Sequence, residues 1–139
     1  MEFPEQYIRK GRFQLHSGEV SDTFYDVNAL LTDREYASKI MDRIPVARHY
    51  VGIATGGALI ADRAAIKYNS SFSMIKDNEI IGRIPNDKNW VLIDDVVTSE
   101  SSFREALNLI RRKPKKIFVV VDRRTETHRK LNLVSAFKV

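Results

Sequence analysis

Residues 90–102 read Trp-Val-Leu-Ile-Asp-Asp-Val-Val-Thr-Ser-Glu-Ser-Ser. The apolar run over 90–94 has the length of a buried strand and ends in acid, and a polar loop over 98–102 precedes a helical pattern that reaches about Arg112. Two adjacent carboxylates leaving a buried strand repel one another, so Asp94 and Asp95 need a metal, hydroxyl donors or a nearby cation. Thr98, Ser99, Ser101 and Ser102 bring hydroxyls to a helix N-terminus, where unpaired amides also gather, and together these make a cradle for phosphate. An acid and a serine cap, with Ser101 or Ser102 as the cap, would also close an ordinary strand–helix turn. Both halves after one strand favour a site.

Outward from this stretch the same grammar repeats. The continuous apolar run over 116–122 reads as a strand covered on both faces. Upstream, 50–54 reads as a buried strand, Thr55-Gly56-Gly57 as a turn and 58–67 as a helix. Strands are expected over 71–75 and 79–84 with Asp77-Asn78 as a tight turn, and a last strand over 133–137. Near the N-terminus, 2–10 reads as a short helix, and 11–15 and 23–27 as short strands. Thr32 and Glu35 form a capping box for a helix to about Arg43, with Tyr36, Ile40 and Ile44 on one face. Strands alternating with helices imply an α/β fold: a mostly parallel twisted sheet flanked by helices on both sides. Ligands in such folds sit at the carboxyl ends of the strands. Thr55-Gly56-Gly57, Asp94-Asp95 and Asp122-Arg123 all fall there.

Composition narrows the classes. A chain of 139 residues fits a single domain over 1–139, and 43% hydrophobic with 29% charged residues excludes wholesale disorder, collagen and coiled coil. The absence of cysteine removes disulfides, thiolate catalysis and Cys-based zinc sites. The charge-free run over 50–61 is too short to span a bilayer, and the N-terminus lacks a signal-peptide core, so a soluble, cytoplasmic protein without a membrane partner is expected. The formal charge of +5 suits an anionic ligand, either a phosphorylated small molecule or nucleic acid. Basic residues gather late, from Arg111 to Lys116 and at Arg123, Arg124, Arg129 and Lys130, as a solvated rim or as an anion-binding face.

The segment VLIDDVVTSESS is similar to the ribose-phosphate-binding signature of type I phosphoribosyltransferases. There a hydrophobic strand ends in two acids, followed by two apolar residues and a Thr-rich loop. GRFQLHSGEVSDTFYDVNALLTD (11–33) resembles the N-terminal region of orotate phosphoribosyltransferases. VGIATGGALIADRAA (51–65) resembles their pyrophosphate loop and its helix, and VVVDRR (119–124) their late Asp-Arg strand. The resemblance implies a small N-terminal hood, from about 1–30 plus the C-terminal segment, on that fold. It implies Mg²⁺-dependent transfer of a phosphoribosyl group from phosphoribosyl pyrophosphate (PRPP) to orotate by a homodimer. Asp94 and Asp95 would hold the ribose, Thr98, Ser99, Ser101 and Ser102 its 5′-phosphate, and Thr55, Gly56 and Gly57 the pyrophosphate. Phe24 or Tyr25 would flank the orotate ring, with Arg123 on its carboxylate and His16 nearby. Lys76 would act with the two acids in catalysis, and Mg²⁺ would arrive with the substrate rather than on protein ligands.

The pattern departs from the family in three places. Lys76 matches the first lysine of the family's mobile loop, but the loop's own lysine and histidine are missing between Asp77 and Gly82. Such a lid shields the reaction from water and supplies charge to the leaving group. Glu100 stands where the phosphate loop has glycine, and its carboxylate would repel phosphate unless it turned to solvent. His16 replaces a lysine. The alternatives are a catalytically silent PRPP- or nucleotide-binding relative and a transferase for another base. A nucleic-acid-binding module ranks last, because no recognition-helix or RNP-like pattern is present.

Overall fold

Period-two alternation in the central strands sends apolar side chains to both faces of one sheet. In the computed structural model, which describes residues 1–15 and 18–139, a hairpin of β1 (Ile8–Gln14) and β2 (Val20–Tyr25) comes first. It is followed by α1 (Val27–Leu30), α2 (Arg34–Arg43), β3 (His49–Ile53), α3 (Gly56–Lys67), β4 (Ser71–Lys76) and β5 (Glu79–Ile81). The chain ends with β6 (Trp90–Val97), α4 (Ser101–Ile110), β7 (Lys116–Asp122) and β8 (Val134–Lys138). The main sheet runs β5-β4-β3-β6-β7-β8; only its β4–β5 pairing is antiparallel, and the other pairings are parallel. This is the α/β architecture the sequence predicts.

The two faces have separate cores. Tyr50, Val91, Ile93, Phe118 and Val120 pack with α1, α2 and α3, whereas Val51, Trp90, Leu92, Ile117 and Val119 pack against Phe103, Ala106 and Ile110 of α4. Each buried Leu, Ile or Phe side chain contributes roughly 1.5–3 kcal/mol of transfer free energy, so the alternation fixes the register of the strands. The hairpin is tied to the far edge of the sheet by edge-on aromatic contacts, because Phe3 packs on both Tyr25 and Phe137 with ring centroids 5.1 Å apart.

Several local expectations are corrected. Residues 2–10 are no helix: Glu5–Tyr7 makes one 3-10 turn, and Ile8 onward pairs with β2, where cross-strand bonding outweighs a short helix. Asp33, not Thr32, caps α2 by accepting the Glu35 amide at 3.1 Å; the Thr32 hydroxyl donates to the Ala29 carbonyl instead. Neither Ser101 nor Ser102 caps α4, which starts after Glu100 in the left-handed region (φ 70°). Asp77 and Asn78, with φ of 51° and 59°, close the β4–β5 hairpin directly, as tight hairpin turns require. No chain is left over there for a lid.

Candidate active site

The chain leaves β3 through α3 toward β4 and leaves β6 through α4 toward β7, in opposite directions along the sheet. This divergence opens a crevice beyond the carboxyl ends of β3 and β6, the place where such sheets bind ligands. A cleft of about 240 Å³ lies there, with Thr55, Gly56, Asp94, Asp95, Thr98 and Ser102 on its floor. Phe24, Tyr25 and Arg123 line it from the hairpin and from the end of β7.

Two glycines bring the start of α3 against the acids. A Cβ at Gly56 would run into the Asp95 carboxylate, and one at Gly57 would sit 2.5 Å from the Ile93 carbonyl oxygen. Thr55 and Glu100, which begin α3 and α4, make no side-chain cap bond, so the first-turn amides of both helices are left for a ligand. Two helix N-termini therefore flank one acid pair. Around the second, Thr98, Ser99, Ser101 and Ser102 line a cup of about 20 Å³ next to Asp94, with the Ser99 hydroxyl donating to Ser101 Oγ at 3.1 Å.

The acids are not equivalent. Asp94 is buried and accepts the Asp95 amide at 2.8 Å; Asp95, half-buried, accepts the Val96 amide at 2.8 Å. Burial, reinforced by the neighbouring Asp95 charge, pushes the Asp94 carboxyl well above the usual carboxylate range. Among the described residues no cluster of three or more His, Asp or Glu side chains forms a metal cage. An acid pair with oxygen donors alone does fit Mg²⁺ brought in on substrate oxygens.

Glu100 faces neither phosphate nor solvent. It is 2% exposed, and its carboxylate accepts from Arg124 Nη1 at 2.7 Å, from Arg104 Nη2 at 2.9 Å, and from the amides of Lys130 and Leu131 at 2.9 and 2.7 Å. Arg124 also forks onto Asp122 through Nε at 3.0 Å and Nη2 at 2.9 Å. Though burial opposes it, the net effect of these donors is to lower both carboxyls. Glu100 borders the cup, but a knot of buried charge anchors the loop and occupies its carboxylate with Arg124, Arg104 and two amides.

Arg123 points the other way along the strand end. It donates to Ser21 Oγ at 3.1 Å and to the Thr23 carbonyl at 3.3 Å, and lies 4.8 Å over the Tyr25 ring. A guanidinium has five N–H donors, so these bonds leave others for a ligand carboxylate. Tyr25 is committed beneath Arg123 and against Phe3, while Phe24 is exposed and stacks on Phe13 at 5.4 Å. Lys76 is exposed at the end of β4, one strand beyond β3, and is not among the residues lining the cleft. His16 lies outside the described residues.

Gln14, Asp26 and Asn28 also line the cleft and were not singled out by sequence. Asp26 caps α1 through the Ala29 amide at 3.1 Å and pairs with Arg9 at 2.7 Å. Its signal was the acid directly after a strand and before Val27-Asn28-Ala29-Leu30, the pattern of an N-cap.

No family model matches the chain. Orotate phosphoribosyltransferase of Buchnera aphidicola is 24% identical over 160 aligned positions, covering 98% of this chain and 75% of the relative. That alignment is longer than the 139 residues here, so the relative carries segments with no counterpart. The same enzyme of Caldanaerobacter subterraneus is 31% identical over 121 positions, 76% of this chain and 62% of the relative. The crystal structure of orotate phosphoribosyltransferase from Aeropyrum pernix superposes with a TM-score of 0.79 at 25% identity, over 96% of this chain and 89% of that one. With such likeness along nearly its whole length, and with two helix N-termini set about the acid pair, the chain is similar to orotate phosphoribosyltransferases and has the type I phosphoribosyltransferase fold.

Proposed function

We propose that the protein transfers the phosphoribosyl group of PRPP to orotate, giving orotidine 5′-monophosphate and pyrophosphate. The observation that carries this reading is the pair of uncapped helix N-termini on either side of Asp94-Asp95. PRPP has the matching pattern: a 5′-phosphate, a ribose diol and a pyrophosphate. The 5′-phosphate would sit in the cup of Thr98, Ser99, Ser101 and Ser102, and the diol on Asp94 and Asp95. Pyrophosphate would take the amides after Thr55. Orotate would lie beside Phe24 with its carboxylate on Arg123.

In the reaction the anomeric C–O bond to pyrophosphate breaks and a bond from a ring nitrogen of orotate to that carbon forms, through an oxocarbenium-like state, while that nitrogen's proton passes to solvent or to the departing pyrophosphate. The chain's contribution is to hold two anions in line, which converts an encounter of like charges into a positioned displacement. Mg²⁺, held through substrate oxygens beside Asp95, would neutralise the leaving group when bound. Asp94, with its raised pKa, can donate as well as accept a hydrogen bond to a ribose hydroxyl. Homodimerisation, expected from the family, is part of the proposal and is read by light scattering.

The test is loss of orotate absorbance with excess PRPP and Mg²⁺ at high enzyme concentration. Turnover that stops when PRPP or Mg²⁺ is omitted supports the reading. The Asp77-Asn78 hairpin in place of a lid favours a second reading, a binder of PRPP without turnover. Calorimetric binding of PRPP with a flat absorbance trace would select it.

A further inference from the structure

Near the amino ends of β7 and β8, on the α4 face of the sheet, a groove of about 620 Å³ opens between the end of α4 and the segment before β8, whose Lys130 and Leu131 amides hold Glu100. Arg111, Arg112, Lys113, Lys115, Lys116 and Lys130 line it, and no Asp or Glu is among the described residues that do. Its apolar walls are Leu107, Ile117 and Leu131. The fold concentrates these cations: Arg111 ends α4 in the left-handed region (φ 60°), its amide on the Leu107 carbonyl, and the chain doubles straight back into β7.

Cations at a helix C-terminus are favoured by the helix dipole, which accounts for Arg111 and Arg112. It does not account for Lys113, Lys116 and Lys130, which come from a turn, a strand start and a separate segment. Lys115 is partly committed, donating to the Val46 carbonyl at 2.8 Å. Like charges collected in one concavity raise a positive potential that only an anion relieves. The volume is that of a small-molecule site. Among the described residues no aromatic side chain lines it, so they offer no stacking platform of the kind with which proteins hold single-stranded nucleic acid.

We propose that this groove is a second anion site, independent of the PRPP site, that binds a compact oligophosphate: a nucleoside triphosphate or an inorganic polyphosphate. The test is calorimetric titration of the full chain with inorganic tripolyphosphate and, separately, with ATP. Each cation acting across about 4 Å of water-like dielectric is worth roughly fivefold in affinity, so K113Q/K116Q is expected to bind roughly twentyfold more weakly or worse. T98A/S102A, altered only in the phosphate cup, is expected to bind as the unmodified protein does, and the melting temperature of K113Q/K116Q is expected to be unchanged. Equal binding of the two probes means that the phosphate chain alone is read; tighter ATP means that the nucleoside adds contacts. The proposal is overturned if neither probe binds, if K113Q/K116Q keeps full affinity, or if T98A/S102A loses it, since the anion would then sit in the candidate active site. Tighter, length-dependent binding of single-stranded RNA would also overturn it, in favour of a nucleic-acid face.

Discussion

Replacing Arg124 by Met separates the two jobs of the buried charge knot. Arg124 is 6% exposed, and its guanidinium serves Asp122, Glu100 and the Leu131 carbonyl together. Removing one member of a buried ionic network costs about 3–5 kcal/mol, because the remaining charges stay desolvated. At roughly 3–5 °C per kcal/mol for a chain of this size, the melting temperature should fall by roughly 10–20 °C. The loss is not shared equally. Glu100 keeps Arg104 and the amides of Lys130 and Leu131, whereas Asp122 keeps only the Arg124 amide among these partners. D122N/R124M should therefore recover about 2 kcal/mol of the loss, and E100Q/R124M less. Urea denaturation followed by circular dichroism measures all three variants. In the unmodified protein the folded-state pKa values of Glu100 and Asp122 are lowered. Their stabilisation is thus complete above the ordinary carboxylate range and is lost as pH falls through the folded values, below about pH 4. In R124M the deficit should shrink as pH falls, because the stranded acid protonates. A loss under 1 kcal/mol, or a rescue by E100Q larger than that by D122N, would refute the argument.

Other perturbations probe the site. Asp94, whose pKa is raised by burial and by Asp95, works in the opposite sense: its favourable contribution is present below the unfolded pKa and is lost as pH rises through the folded one. D94N should accordingly be more stable than the unmodified protein at pH 8 and indistinguishable near pH 3, while binding PRPP more weakly; equal melting curves at pH 8 would contradict this. R123A should raise the KM for orotate more than that for PRPP, since its guanidinium lies on the hairpin side of the cleft; equal effects on both substrates would contradict the assignment. G57A should destabilise by about 1–3 kcal/mol, because its methyl group would lie 2.5 Å from a backbone carbonyl that cannot rotate away. Thermal melting checks it, and an unchanged midpoint would mean that α3 moves freely off β6.

The unbroken apolar runs in WVLID and KIFVVVD marked these by themselves as strands covered on both faces, because a strand sends successive side chains to opposite faces and both are buried here. The acids after that strand and the glycines after β3 were legible for the same reason: strand ends and helix starts carry local signals. What sequence could not give was where Glu100 points. Read locally, it was a charge in a phosphate loop; its true partners lie on Arg124 and on Lys130-Leu131, brought to it only by the pairing of β6 with β7. Long-range pairing likewise decided that 8–10 are strand rather than helix, and it set Arg123 over Tyr25, although the two are far apart in the chain. Local propensity is worth tenths of a kcal/mol per residue, whereas burial and charge pairing are worth several per contact group, and those are settled only when the sheet closes.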